Sequence, residues 1–206
     1  MTTHTVISRV GTRAGCITGI DPGICLFVVA TGWPAIDGVR FWPFEMHRDE
    51  RGDLTEVFRH EWETGLAPVQ WTVLRNVPRS LRGMDIHVVH DDWQVLVEGR
   101  AAVGLKDLRR GSPTEGRAEV IDLGSDDFQA MLVPRGVAHG FYFYEQSILV
   151  VGSTGYYDPE DHLPCHYADP ELGIDWPAEP EVLSELDRNA PPLAWLVDRV
   201  ERWQPF

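Results

Sequence analysis

The chain has 206 residues, 43% of them hydrophobic and 10% aromatic, with 32 Asp plus Glu against 18 Lys plus Arg for a formal net charge of −14. That apolar content is enough for one folded domain and excludes a disordered, purely solvating chain. The acidic field repels nucleic-acid phosphates and anionic lipid surfaces, so neither nucleic acid nor a membrane is expected as a partner, and an anionic ligand needs arginines gathered locally.

Residues 1–35 show little periodicity and read as an N-terminal extension, flexible or forming an added strand. Their apolar run Ile24–Ala30 is far short of the roughly 20 residues of a membrane span. Asp21 and Pro22 interrupt what a signal peptide would need as an apolar core. Cys16, Cys25 and Cys165 are odd in number and form no Cys-x-x-Cys pair, which points to a reducing, cytoplasmic setting.

From Val39 onward short strand-like runs alternate with turn signals: 39–44, 53–58, 69–76, 85–90, 93–98, 101–108, 118–123, 128–133, 140–144 and 148–152. Turns recurring every 8–12 residues or so mark an all-β sandwich or barrel. The helical windows are Glu61–Gly65 and Ser184–Ala190, the second with Ser184 as cap and Pro191 as stop. A barrel over 36–165 and a C-terminal tail of loops and short helices over 166–206 follow. In Phe141-Tyr142-Phe143-Tyr144 one aromatic face is expected in the core and the other in a dimer or sheet contact.

Alternation from Gly83 places Asp85 and His87 on one face of a strand and His90 on the other. Asp92, Gln94 and Leu96 share a face of the next strand, and Pro134-x-Gly136-x2-His139 launches a later one from a tight turn. Asp85-x-His87-x4-Asp92-x6-Gly99 with Pro134, Gly136 and His139 resembles the paired motifs of the cupin superfamily. Imidazoles and carboxylates converging in a barrel suit a first-row divalent metal, and Asp85, His87, Asp92 and His139 are the candidate ligands. The competing reading makes the two Asp residues solvated groups at the barrel mouth and His139 a hydrogen-bonded interior residue.

A narrower resemblance runs over about residues 36–195. Arg48-Asp49-Glu50-Arg51-Gly52-x3-Glu56, Val69-Gln70, Leu81-Arg82-Gly83, Asp107-Leu108-Arg109-Arg110-Gly111-Ser112-Pro113-Thr114, Pro134-x-Gly136-x2-His139-Gly140-Phe141, Gly155-Tyr156-Tyr157 and Asp169-Pro170-x-Leu172-Gly173-Ile174-Asp175-Trp176-Pro177 are similar, in order, to the dTDP-4-dehydrorhamnose 3,5-epimerase family. The resemblance implies a jelly-roll cupin with short C-terminal helices, a homodimer, no cofactor, and a dTDP-4-keto-6-deoxyhexose as substrate. The C4 ketone acidifies the neighbouring C–H bonds, so a base can remove a proton at C3 or C5 and an acid can return one to the opposite face.

Carried over by position, the resemblance implies Tyr157 as acid, Asp187 as the carboxylate orienting the base, Arg51 and Arg82 near the phosphates, and Glu56, Gln70 and His139 at substrate positions. The family's base His falls on Asp85, and its enolate-stabilising Lys falls on Asp92. Three readings follow. His87 takes over as base with Asp187 or Asp85 behind it; a divalent metal on Asp85, His87, Asp92 and His139 replaces the Lys; or proton transfer is lost and the fold only binds a dTDP-sugar. A metal-dependent cupin acting on another small molecule is the alternative from a different class. For Arg51 the competing expectation is a surface ion pair with Asp49 or Glu50. His60, His162 and His166 are expected to be surface or packing residues, and Cys165 a structural thiol.

Overall fold

A computed structural model describes residues 34–126 and 128–202, and the expectations for 1–33 lie outside the described residues. Its strands are β1 (Arg40–Pro43), β2 (Met46–Asp49), β3 (Gly52–Thr55), β4 (Gln70–Asn76), β5 (Leu81–Ile86), β6 (Asp92–Glu98), β7 (Arg100–Asp107), β8 (Ala118–Gly124), β9 (Gln129–Val133), β10 (Val137–Phe143), β11 (Ser147–Ser153) and β12 (Leu163–Pro164). Two antiparallel five-stranded sheets, β1-β9-β6-β11-β4 and β12-β5-β10-β7-β8, make the jelly roll, and β2-β3 is a separate hairpin. The expected all-β cupin architecture is the one observed.

Period-two alternation decides what each sheet face buries. Val103, Leu105, Phe141 and Phe143 of one sheet meet Leu96, Met131 and Leu149 of the other in the inter-sheet core. The opposite faces are also covered. Trp93, Val95, Ala130 and Leu132 lie under Trp42, Phe44, Phe58 and Trp62. Met84, Ile86 and Ala138 lie under Leu163, Cys165, Leu172 and the C-terminal residues Leu193, Leu196 and Val200. Of the alternating aromatics on β10, Phe141 and Phe143 take the core face, and on the other Tyr142 is buried with Tyr167, with Trp176 and Leu183 packed on that cluster.

The helical windows divide. Ser184 caps α1 (Glu185–Arg188) by accepting from the Asp187 N–H, as expected. Residues 61–65 form turns, with the Trp62 N–H donating to the Arg59 carbonyl, and Trp62 is held by ring contacts instead of a helix. A longer helix, α2 (Leu193–Arg202), follows the Pro191-Pro192 pair that reads as a stop. Proline is compatible with a helix entrance, and Asp169 accepts from the Leu193 N–H at 2.8 Å, satisfying one of the donors that a helix start leaves open.

Candidate active site at the mouth of the barrel

Three strands position the site. Gly83 on β5 has φ 96°, and a Cβ there would lie 2.7 Å from the His139 carbonyl oxygen and 2.9 Å from Gly140 Cα. Only glycine lets β5 and β10 approach so closely, and the register then sets Asp85 opposite His139. From the other sheet, β6 brings in Asp92 and Gln94. These residues line one cavity of about 320 Å³ with Gln70, Arg82, His87, His90, Tyr157, His162 and Asp187. Among its described lining residues Arg82 is the only Lys or Arg.

The strand expected over 85–90 stops at Ile86, and this rearranges the site. Past that point the Val88 and Val89 N–H groups donate to Asp161 Oδ1, at 2.7 and 3.1 Å, in place of a neighbouring strand. Alternation therefore ends before His90. Instead of facing away, the His90 ring stacks on His87 with centroids 4.1 Å apart, in space left open by Gly155. His162, expected at the surface or in packing, also reaches the cavity, with Nε2 3.3 Å from Asp85 Oδ1.

Asp92 sits at the centre of three imidazoles. Its Oδ2 is 3.6 Å from His87 Nε2 and 3.5 Å from His139 Nε2, and its Oδ1 is 3.6 Å from His90 Nε2. Ser153 Oγ donates to Oδ1 at 2.8 Å, and Gln94 Nε2 donates to Oδ2 at 3.4 Å. The far sides of two rings are held as well: His90 Nδ1 is 2.6 Å from Asp161 Oδ2, and His139 Nδ1 is 3.2 Å from the Val137 carbonyl.

These environments separate the titrating groups. Burial acts to raise the Asp92 carboxyl, but His139, His87 and His90 outweigh it and hold the pKa at about 2. Burial drives His87 down to about 3 against the pull of Asp92. For His139 burial works against the charged ring, yet Asp92 prevails and keeps its pKa above the ordinary imidazole value. Burial pushes Asp85 up to about 6, tempered by His162 and His139 and reinforced by Asp187.

Asp187 approaches the site from α1. Its Oδ1 accepts from the Gly83 N–H at 3.4 Å and its Oδ2 from Ser184 Oγ at 2.7 Å, so it contacts the backbone of the strand that carries Asp85. Tyr157 stands on the exposed side, its N–H donating to Gln70 Oε1 at 3.0 Å and its ring centroid 6.1 Å from that of His162. Arg82 donates from Nε to Asn76 Oδ1 at 2.6 Å.

The cavity thus brings together Asp85, His87, Asp92, His139, Tyr157, Asp187, Gln70 and Arg82 of the sequence candidates. Two candidates fall elsewhere. Arg51 lies at the hairpin turn, paired with Asp49 as the competing expectation had it, and Glu56 pairs with Arg59 at 2.8 Å. Cys165 is buried in the cluster beneath β5, where desolvation pushes its thiol up to about 12, the condition of an inert structural cysteine. Sequence reasoning missed His90, His162 and Asp161. The one available signal was their density, since Asp161 and His162 are adjacent and His90 directly precedes Asp91-Asp92.

Comparison with known proteins agrees with this architecture. The profile of the dTDP-4-dehydrorhamnose 3,5-epimerase family matches residues 34–194. A dTDP-4-dehydro-6-deoxyglucose 3-epimerase from a Streptomyces species is 31% identical over 174 residues, 77% of this chain and 89% of that protein. A dTDP-4-dehydrorhamnose 3,5-epimerase from Methanothermobacter thermautotrophicus is 31% identical over 169 residues, 77% of this chain and 91% of that protein. The crystal structure of a Legionella pneumophila 3,5-epimerase in complex with dTDP-4-keto-L-rhamnose superposes with a TM-score of 0.75 at 29% identity, covering 82% of this chain and 94% of that one. With the matched profile spanning both sheets and the site between them, this chain belongs to the dTDP-4-dehydrorhamnose 3,5-epimerase family.

Proposed function

We propose that this protein is an isomerase acting on a dTDP-4-keto-6-deoxyhexose, inverting C3, C5 or both by removal and return of a proton. The observation that carries this reading is the pairing, across one cavity, of the Asp85 carboxylate on β5 with the Tyr157 side chain at the exposed rim. Asp85 is the base. It stands where the family's His is expected, its Oδ1 has no hydrogen-bond donor among the described residues, and His162 and His139 flank it. His87, the other candidate, turns toward Asp92 and stacks on His90 instead.

Tyr157 is the acid that returns the proton to the face opposite Asp85. Asp187 positions Asp85 through the Gly83 backbone, since two carboxylates cannot share a hydrogen bond when both are ionised. Arg82, at the rim, meets the diphosphate, for which a planar guanidinium is well matched. Gln70 is placed for a polar contact beside Tyr157. Arg51 and Glu56 keep their family-implied roles only if their hairpin reaches the cavity of another copy in a dimer, the assembly the family resemblance implies.

The test is product analysis. After incubation of dTDP-4-keto-6-deoxyglucose with the protein, borohydride reduction at C4 leaves gluco- and galacto-configured 6-deoxyhexoses if nothing else has changed. The reading expects additional 3- or 5-epimers, absent with Asp85→Asn. Only the two unepimerised sugars, from folded protein that binds dTDP, would refute it.

A further inference from the structure

Asp92, with three imidazoles around it, has no part in the proton transfer proposed above. Asp161 also receives the Val88 and Val89 N–H groups on its other oxygen. It is therefore an acceptor, so His90 Nδ1 carries the proton. The Val137 carbonyl can only accept, so His139 Nδ1 carries its proton too. With Nδ1 engaged on its outer side, each ring keeps Nε2 for the cavity, and both turn it toward Asp92. At 3.5–3.6 Å the contacts are too long to be hydrogen bonds. Three imidazole nitrogens thus converge on one carboxylate without closing a hydrogen bond to it, as ligand atoms spaced around an ion do.

From these contacts we infer that His87, His90, Asp92 and His139 form a binding site for one first-row divalent metal ion. Ligand atoms of His87, His90 and Asp92 all lie within 4.8 Å of one another, and His139 approaches the same carboxylate from β10. Ligands bound at about 2.1 Å and spread at tetrahedral or octahedral angles are separated by roughly 3.0–3.4 Å, so the 3.5–3.6 Å spacings between Asp92 and the three imidazoles need contract only slightly around an ion. Three imidazoles and one carboxylate suit zinc, iron or manganese.

The surroundings match those of built metal sites. Asp161 behind His90 and the Val137 carbonyl behind His139 are the outer acceptors that fix a ligating imidazole's tautomer, and Ser153 and Gln94 steady the Asp92 carboxylate. Asp85 is not a ligand in this arrangement, since its carboxylate is turned to His162, and His90 takes the place expected for it. Site and ligands stand on geometry alone. The ion's role rests on the proposed epimerase reading: placed where the family has a Lys, it would offset the charge developing on the C4 oxygen in a cavity lined by three carboxylates.

The test uses the full chain stripped with a chelator and offered Zn2+ or Co2+ alone. One equivalent per chain by elemental mass spectrometry is expected, with visible Co2+ absorption bands and a rise in melting temperature. Asp92→Asn and His90→Gln should abolish stoichiometric binding, and Asp161→Asn, whose hydrogen bond to the ligand set is the one with His90 Nδ1, should weaken it about 10- to 100-fold. Circular dichroism and dTDP binding confirm that each variant folds. Failure of the parent protein to take up micromolar metal, or equal uptake by Asp92→Asn, would overturn the site. So would NMR showing Nε2-protonated His139 beside Asp92 under metal-replete conditions. Metal bound without any epimerisation would support the site and sink the epimerase reading. Undiminished epimerisation by chelator-treated, metal-free protein would overturn the ion's role.

Discussion

His90 Nδ1 and Asp161 Oδ2 are 2.6 Å apart, a short contact between residues separated by 71 positions, and the other oxygen of that carboxylate receives two backbone N–H groups from the same loop. One carboxylate thus ends strand β5, shapes the loop and orients the imidazole. Asp161→Asn loses acceptor strength at all three contacts. A stability loss of about 1–3 kcal/mol is expected in urea denaturation. Nitrogen NMR should show a single Nδ1-protonated tautomer of His90 in the parent and a mixture in the variant.

Gly83 is the second sensitive point. In Gly83→Ala the new Cβ would meet the His139 carbonyl at 2.7 Å in a backbone conformation that L side chains rarely adopt. Strain of roughly 1–3 kcal/mol plus displacement of β10 should lower the melting temperature and abolish turnover together. A fully stable, active alanine variant would show that Asp85 and His139 do not depend on this close approach.

Acid stability should depend on a carboxylate remote from the cavity. Asp107, with no exposed side-chain area, accepts from Arg109, Ser112 and Thr114, and these bonds overcome its burial to hold its pKa at about 2. A depressed carboxylate stabilises the fold fully above its unfolded value, near 4, and that contribution fades as pH falls toward 2. The shift corresponds to about 2 kcal/mol, present at neutral pH. Asp107→Asn should be less stable at pH 7 and show a flatter decline between pH 4 and 2 than the parent.

Much of the fold was legible because turn residues punctuate the strands, and β4, β6, β7, β8, β9 and β11 fall within a few residues of their expected places. The site was only partly legible. Alternation gave Asp85, and Asp92 with Gln94, because those residues lie on regular strands. It failed at His90 because the backbone there bonds to a side chain from far along the sequence, and a loop has no period from which to read a face. His162 was invisible for the same reason. The α2 helix was hidden by Pro191-Pro192, although Leu193, Leu196 and Val200 already carry the spacing of a buried helical stripe.

Tyr157 provides a clean separation of chemistry from folding, since its side chain is 64% exposed as a residue and packs on little. Tyr157→Phe should leave the melting temperature within about 1 °C of the parent, as expected for a surface change away from packed features. Its kcat should fall roughly 100- to 10,000-fold if the hydroxyl returns the proton. Unchanged kcat would remove Tyr157 from the acid role.

The most direct measurement is mass spectrometry and proton NMR of dTDP-4-keto-6-deoxyglucose incubated in heavy water with the parent protein and with Asp85→Asn. Deuterium at C3, C5 or both is expected with the parent, and none above the protein-free control with the variant. Absence of label with folded, metal-supplied, dTDP-binding parent protein would contradict the proposed reaction, as would equal labelling by Asp85→Asn.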